Sequence, residues 1–107
     1  MLEGIYKVSF SSNVQDHGEG IVVIKNNAIN GGDYGYVYKG LICDNTTKLS
    51  VEQWNPTSIS VFGSLTKFNL ELTFISKDQS SFTATGNIEN APQFEITIQG
   101  TMLSSTA

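Results

Sequence analysis

Few residues of this chain could carry chemistry, and their spacing decides how far each goes. There is one histidine and one cysteine. His17 and Glu19 stand two apart, so on an extended segment they share a face. They are the one pair resembling a metal-ligand set, and a metal centre needs more converging ligands than that. Nucleophilic catalysis would need His17 beside a serine or Cys43, oriented by a third group. No Gly-x-Ser-x-Gly elbow is present, and Cys43 reads as an inert strand-end residue. Gly18-Glu19-Gly20 and Gly31-Gly32-Asp33 carry the glycines of phosphate loops. Phosphate loops, however, open helices and bring Lys or Arg, whereas these glycines fall between strand-like runs. Gly31, Gly32 and Asp33 therefore read as a structural turn, with the Asp33 carboxylate accepting backbone N–H groups. The expectation is no catalytic residue, no metal and no cofactor.

Two aromatic features suggest binding. Tyr34, Tyr36 and Tyr38 recur at strand spacing. They fit a barrel lining or dimer contact with paired hydroxyls, or a ligand pocket with hydroxyls aimed at a bound molecule. Trp54 shares a face with Lys48, Ser50 and Glu52. If Leu49 and Val51 point inward, Trp54 points outward, where a tryptophan near a turn is a strong contact candidate. The other reading folds Trp54 back under residues 57–67.

Composition sets the frame for these residues. A chain of 107 residues makes one domain. Val, Ile, Thr and aromatic residues outnumber strong helix formers, which with 10 glycines favours an all-β chain. Ten acids against six bases give a net charge of −4, and all six bases are lysines. Without an arginine fork and with net negative charge, neither nucleic acid nor an anionic membrane is an expected partner. A single cysteine suggests a reducing compartment. No run is long and apolar enough to span a bilayer, and no apolar leader is visible at the start, so the expected location is the cytoplasm.

The elements follow from alternation. Gly4 to Phe10 sets Tyr6, Val8 and Phe10 on one face. Ser11 to Glu19 reads as a loop. Gly20 to Lys25 leads through a tight Asn26-Asn27 turn into Ala28-Ile29. Asn30-Gly31-Gly32-Asp33 reads as the strongest turn. Tyr34 to Cys43 and Lys48 to Trp54 flank a turn at 44–47. Phe68/Leu70/Leu72/Phe74, Phe82/Ala84/Gly86/Ile88 and Phe94/Ile96/Ile98 alternate cleanly with polar residues. Residues 57–67 fit either a strand or a helical turn across a barrel mouth, and residues 103–107 are expected to fray. Seven or eight such strands make an antiparallel up-and-down barrel, which removes exposed edges. A two-sheet sandwich is the alternative. Glycines at 40, 63, 86 and 100 are placed to supply bends.

Strands 20–25 and 34–42 are apolar on both faces, and a barrel wall needs only one. Ile21, Val23, Val37 and Leu41 are therefore dimer-contact candidates, covered by a second subunit.

The pattern Gly4-Ile5-Tyr6 … Phe10, Gly18-Glu19-Gly20-Ile21 … Lys25, Ile29 … Gly31-Gly32-Asp33 … Val37-Tyr38 … Gly40 resembles the GrlR-like negative regulators of type III secretion genes. The resemblance spans residues 4–55, with only strand layout agreeing beyond. It implies a lipocalin-like (calycin) barrel, a homodimer and no enzyme activity. It also implies action by protein binding, since the family's named member sequesters a transcriptional activator through an acidic loop. The corresponding stretch here, Cys43 to Thr47, has one acid, Asp44. The expected partner-binding residues are Asp44, Asn45, Thr46, Glu52 and Trp54. The reading that competes with a regulator is a carrier of a small apolar ligand, with Tyr34, Tyr36 and Tyr38 lining its pocket. Inward Phe68, Phe74, Phe82 and Phe94 would exclude a ligand if they filled the lumen. An enzyme at the barrel mouth using His17 and Tyr hydroxyls is the least supported reading, given so few inward titratable groups.

Overall fold

The computed structural model describes residues 3–14, 18–58, 62 and 65–107. His17 and Gly63 lie outside them. Eight strands form in order: β1 (Gly4–Ser12), β2 (Gly18–Lys25), β3 (Ala28–Gly32), β4 (Tyr36–Cys43), β5 (Thr46–Gln53), β6 (Lys67–Lys77), β7 (Ser81–Ile88) and β8 (Ala91–Ser104). Each pairs antiparallel with its chain neighbour, and β1 pairs with β8, so the sheet closes into a barrel with no free edge. This is the up-and-down barrel that the alternation predicts, not the sandwich.

Alternation sorts the side chains. Tyr6 and Val8 of β1, Val22 and Ile24 of β2, Leu49 and Val51 of β5, Leu70, Leu72 and Phe74 of β6, and Ile96 and Ile98 of β8 are buried in one core. Burying a side chain of this size contributes about 1.5–3 kcal/mol. Tight turns set the register. Asn26 and Asn27 both take positive φ (54° and 59°), the conformation a two-residue hairpin needs.

Several boundaries differ from the sequence reading. The loop expected at Ser11–Glu19 is shorter, because Ser11 and Ser12 complete β1 and Gly18 and Glu19 open β2, paired across the two strands. The turn expected at Asn30–Asp33 falls later, at Asp33–Gly35, and Asn30, Gly31 and Gly32 complete β3. The two glycines serve close approach, not a turn: a Cβ on Gly31 would lie 2.1 Å from the Ile21 carbonyl oxygen. The 44–47 turn shrinks to Asp44-Asn45, with Asp44 at φ 55°. Thr46 and Thr47 already belong to β5. β8 runs through Ser104, so Leu103 and Ser104 are strand residues paired near β1, not part of a frayed tail. Of residues 57–67, Lys67 opens β6, and 57, 58, 62, 65 and 66 are in neither a strand nor a helix. Phe62 drops into the barrel end, its ring centroid 5.8 Å from those of Phe68 and Phe94.

Candidate functional site

The short turn between β3 and β4 organises one end of the barrel. Asp33 N–H donates to the Tyr36 carbonyl at 2.9 Å. Its Oδ1 accepts the N–H groups of Gly35 (2.7 Å) and Tyr36 (2.8 Å). The carboxylate thus closes the turn on itself, as an Asx turn does. Its other oxygen, Oδ2, accepts the Tyr38 hydroxyl. Burial pushes the Tyr38 phenol far above its ordinary range, and the hydrogen bond and charge of Asp33 push the same way. Both effects favour the neutral, hydrogen-bond-donating form of Tyr38.

The outer side of the turn is stapled to the end of β5. Trp54 N–H donates to the Gly35 carbonyl at 2.9 Å, and the Trp54 indole Nε1–H donates to the Asp33 carbonyl at 3.0 Å. Asn55 Nδ2 donates to the Tyr34 carbonyl at 3.0 Å. The rings of Tyr34 and Trp54 meet edge to face, centroids 5.9 Å apart. Both stay open to solvent, Tyr34 at 81 % and Trp54 at 53 % exposure.

This splits the tyrosine stripe. Tyr36 and Tyr38 are buried in the lumen wall, whereas Tyr34 precedes β4, borders the cavity at this end and is largely exposed. Gly35, directly after Tyr34, was the signal for that split. Trp54 is largely exposed, and its ring packs on that of Tyr34. Glu52 is exposed on the same outer face, paired with Val37 on β4 and Lys67 on β6.

The partner-binding candidates do not form one patch. Asp44, Asn45 and Thr46 sit at the start of β5 and Trp54 just past its end. At about 3.3 Å per strand residue they are roughly 25 Å apart, at opposite ends of a body 34 Å long. Thr46 spends its hydroxyl on the Cys43 carbonyl (3.1 Å). Thr47 is buried and bonds the Leu41 carbonyl. The dimer candidates do share one surface. Ile21, Val23, Val37 and Leu41 lie on the outer face of β2 and β4 with Gly32, Asn30 and Ala28 of β3 between them. Leu41 is the most open of them, at 73 % exposure.

The lumen holds a cavity of about 270 Å³. Phe68, Phe74 and Phe82 form part of its wall without filling it, and Phe94 packs against Phe62 instead. Phe62 narrows the cavity at its end, a role the ambiguous 57–67 segment did not signal.

Among the described residues, no group of three or more His, Cys, Asp and Glu side chains could hold a metal ion. Among the same residues no helix is long and apolar enough to cross a membrane.

The family model for GrlR, the T3SS negative regulator, matches residues 1–105. No curated protein matches the chain significantly.

Proposed function

We propose that this chain, which belongs to the GrlR family of type III secretion system (T3SS) negative regulators, acts without catalysis by occupying the surface of a transcriptional activator. The observation that carries the reading is the Tyr34–Trp54 pair: two large rings, exposed yet held by backbone hydrogen bonds at one barrel end. Aromatic anchors fixed before binding lose little entropy on contact. A net charge of −4 suits a basic DNA-binding partner. Asp44, Asn45 and Thr46 supply a smaller polar contact at the opposite end, reached only by a partner that runs the length of the barrel. A second copy of the chain covers Ile21, Val23, Val37 and Leu41, making the working unit a cytoplasmic homodimer.

Affinity purification from the native host tests this. Tagged wild-type protein should retain a DNA-binding activator, and Trp54→Ala should release it with the barrel intact. Equal retention by both proteins would refute the assignment of the contact to this rim.

The open lumen favours a second reading, in which the barrel carries a small apolar ligand.

A further inference from the structure

We infer that the lumen selects its ligand by charge, taking a compact apolar molecule with a cationic or hydrogen-bond-donating head and rejecting anionic ones. This rests on the ligand-carrying reading and adds the ligand's chemistry to it.

Size comes from the cavity. An apolar protein cavity of about 150 Å³ holds benzene, so about 270 Å³ takes a molecule near twice that bulk, of bicyclic size. The wall is aromatic and aliphatic through most of its depth, with Val22, Leu49, Leu72, Phe74 and Phe82 among its residues.

Charge comes from the end nearest the β3–β4 turn. Among the described lining residues there is no lysine, and the carboxylate of Asp33 stands at this end beside the Tyr38 hydroxyl. The other acid of the lining, Glu19, points its side chain outward to Lys7, 3.8 Å away. Asp33 Oδ1 is used twice, by Gly35 and Tyr36, while Oδ2 accepts the Tyr38 hydroxyl. A carboxylate has about four acceptor positions, so Oδ2 can take one further donor. An ammonium or N–H head placed there gains a charge-assisted hydrogen bond. A ligand carboxylate there would face Asp33 with no cation to offset it. Two polar groups nearby are already committed: the Tyr36 hydroxyl donates to the Leu65 carbonyl (2.9 Å), and the Gln53 amide donates to the Ser58 carbonyl (2.7 Å).

Three probes of one size test the inference by calorimetry: 1-naphthylmethylamine, naphthalene and 1-naphthoate. The amine should bind wild-type protein about tenfold or more tighter than naphthoate. Asp33→Asn, which keeps an acceptor for the turn N–H groups but removes the charge, should abolish that preference. Should this variant fail to fold, Asp33→Ser serves instead: its hydroxyl can still accept a turn N–H, the charge is gone, and the preference should again be lost. Ala84→Leu, which puts bulk into the cavity wall, should weaken all probes that bind. Naphthoate binding as tightly as the amine to wild-type protein would overturn the charge selection. Failure of all three probes, or binding that Ala84→Leu leaves unchanged, would overturn the ligand-carrying reading beneath it.

Discussion

The indole Nε1–H of Trp54 donates to the backbone carbonyl of Asp33 at 3.0 Å, while the Asp33 carboxylate accepts the Tyr38 hydroxyl on the lumen side. One residue therefore ties the exposed aromatic rim to the interior. The rim's shape depends on a turn built from its own carboxylate, and this dependence makes the account testable one atom at a time.

Trp54→Phe removes the indole N–H and keeps an aromatic ring; Trp54→Ala removes both. Because the side chain is exposed, each should cost about 0.5–1.5 kcal/mol of stability by urea unfolding. Their effects on activator binding should separate: a partial loss for the phenylalanine, and about 2 kcal/mol or more for the alanine, as for an interface anchor.

Tyr38→Phe leaves Asp33 short of one donor and should destabilise the barrel by about 1–3 kcal/mol at neutral pH. Its alkaline behaviour is more diagnostic. The folded phenol is held above its ordinary range by burial first and Asp33 second, and burial raises the Tyr6 phenol in the same sense. An unfolded tyrosine releases its proton near pH 10. Stability from these groups is complete below that pH and falls as pH rises through it, by up to about 1.4 kcal/mol per unit per group. Unfolding measured between pH 9 and 11 should show a shallower fall in Tyr38→Phe than in wild type. Equal slopes would exclude the phenol as the source.

At the acid end the sign reverses. Hydrogen bonds from Ser80 and Ser81 hold the Asp78 carboxyl below its usual range. Lys48, and then Asn69, lower that of Glu89. Their contribution is present above about pH 4, where unfolded carboxyls ionise, and is lost as pH drops further. Carbon-detected NMR titration should find both carboxyls titrating below the usual carboxylate range. Asp78 is exposed and Glu89 half-buried with an exposed Lys48 partner, so the matching loss of stability is small and shrinks with added salt.

How much of this was legible in the sequence differs by layer. The barrel was readable because Phe68 to Phe74 and Phe82 to Ile88 alternate without interruption, and an antiparallel meander of that kind closes on itself. The Asn26-Asn27 hairpin was readable from residues that tolerate positive φ. The Asp33 turn was displaced by two residues because Gly31 and Gly32 look like turn formers, whereas here they let β2 and β3 approach closely. That displacement leaves Tyr34 outside β4, at the rim and largely exposed. The bond from Asp33 to Tyr38 and the approach of Trp54 to Tyr34 join positions across strands, which periodicity along one strand does not encode. Phe62 stayed hidden for the same reason: its role depends on where the chain re-enters the barrel, not on its neighbours in sequence.

Gly31→Ala should show the difference between a turn glycine and a close-approach glycine. A Cβ there would sit 2.1 Å from the Ile21 carbonyl oxygen and 2.6 Å from Val22 Cα. Both atoms are backbone, so the strands must part. The expected cost is about 3 kcal/mol or more by thermal unfolding. A near-neutral result would mean that β2 and β3 separate at little cost.

A charge on the outer apolar face should separate subunits without unfolding them. Leu41→Glu should shift the molar mass in light scattering from dimer to monomer with an unchanged circular dichroism spectrum. A wild-type protein already monomeric at high concentration would remove the proposed dimer.

The most direct test is repression itself. A T3SS gene reporter should be silenced by wild-type protein and released by the double variant Tyr34→Ala/Trp54→Ala, with the variant folded and equally abundant. Full repression by that variant would contradict the central claim that the aromatic rim at Asp33 is the regulatory contact.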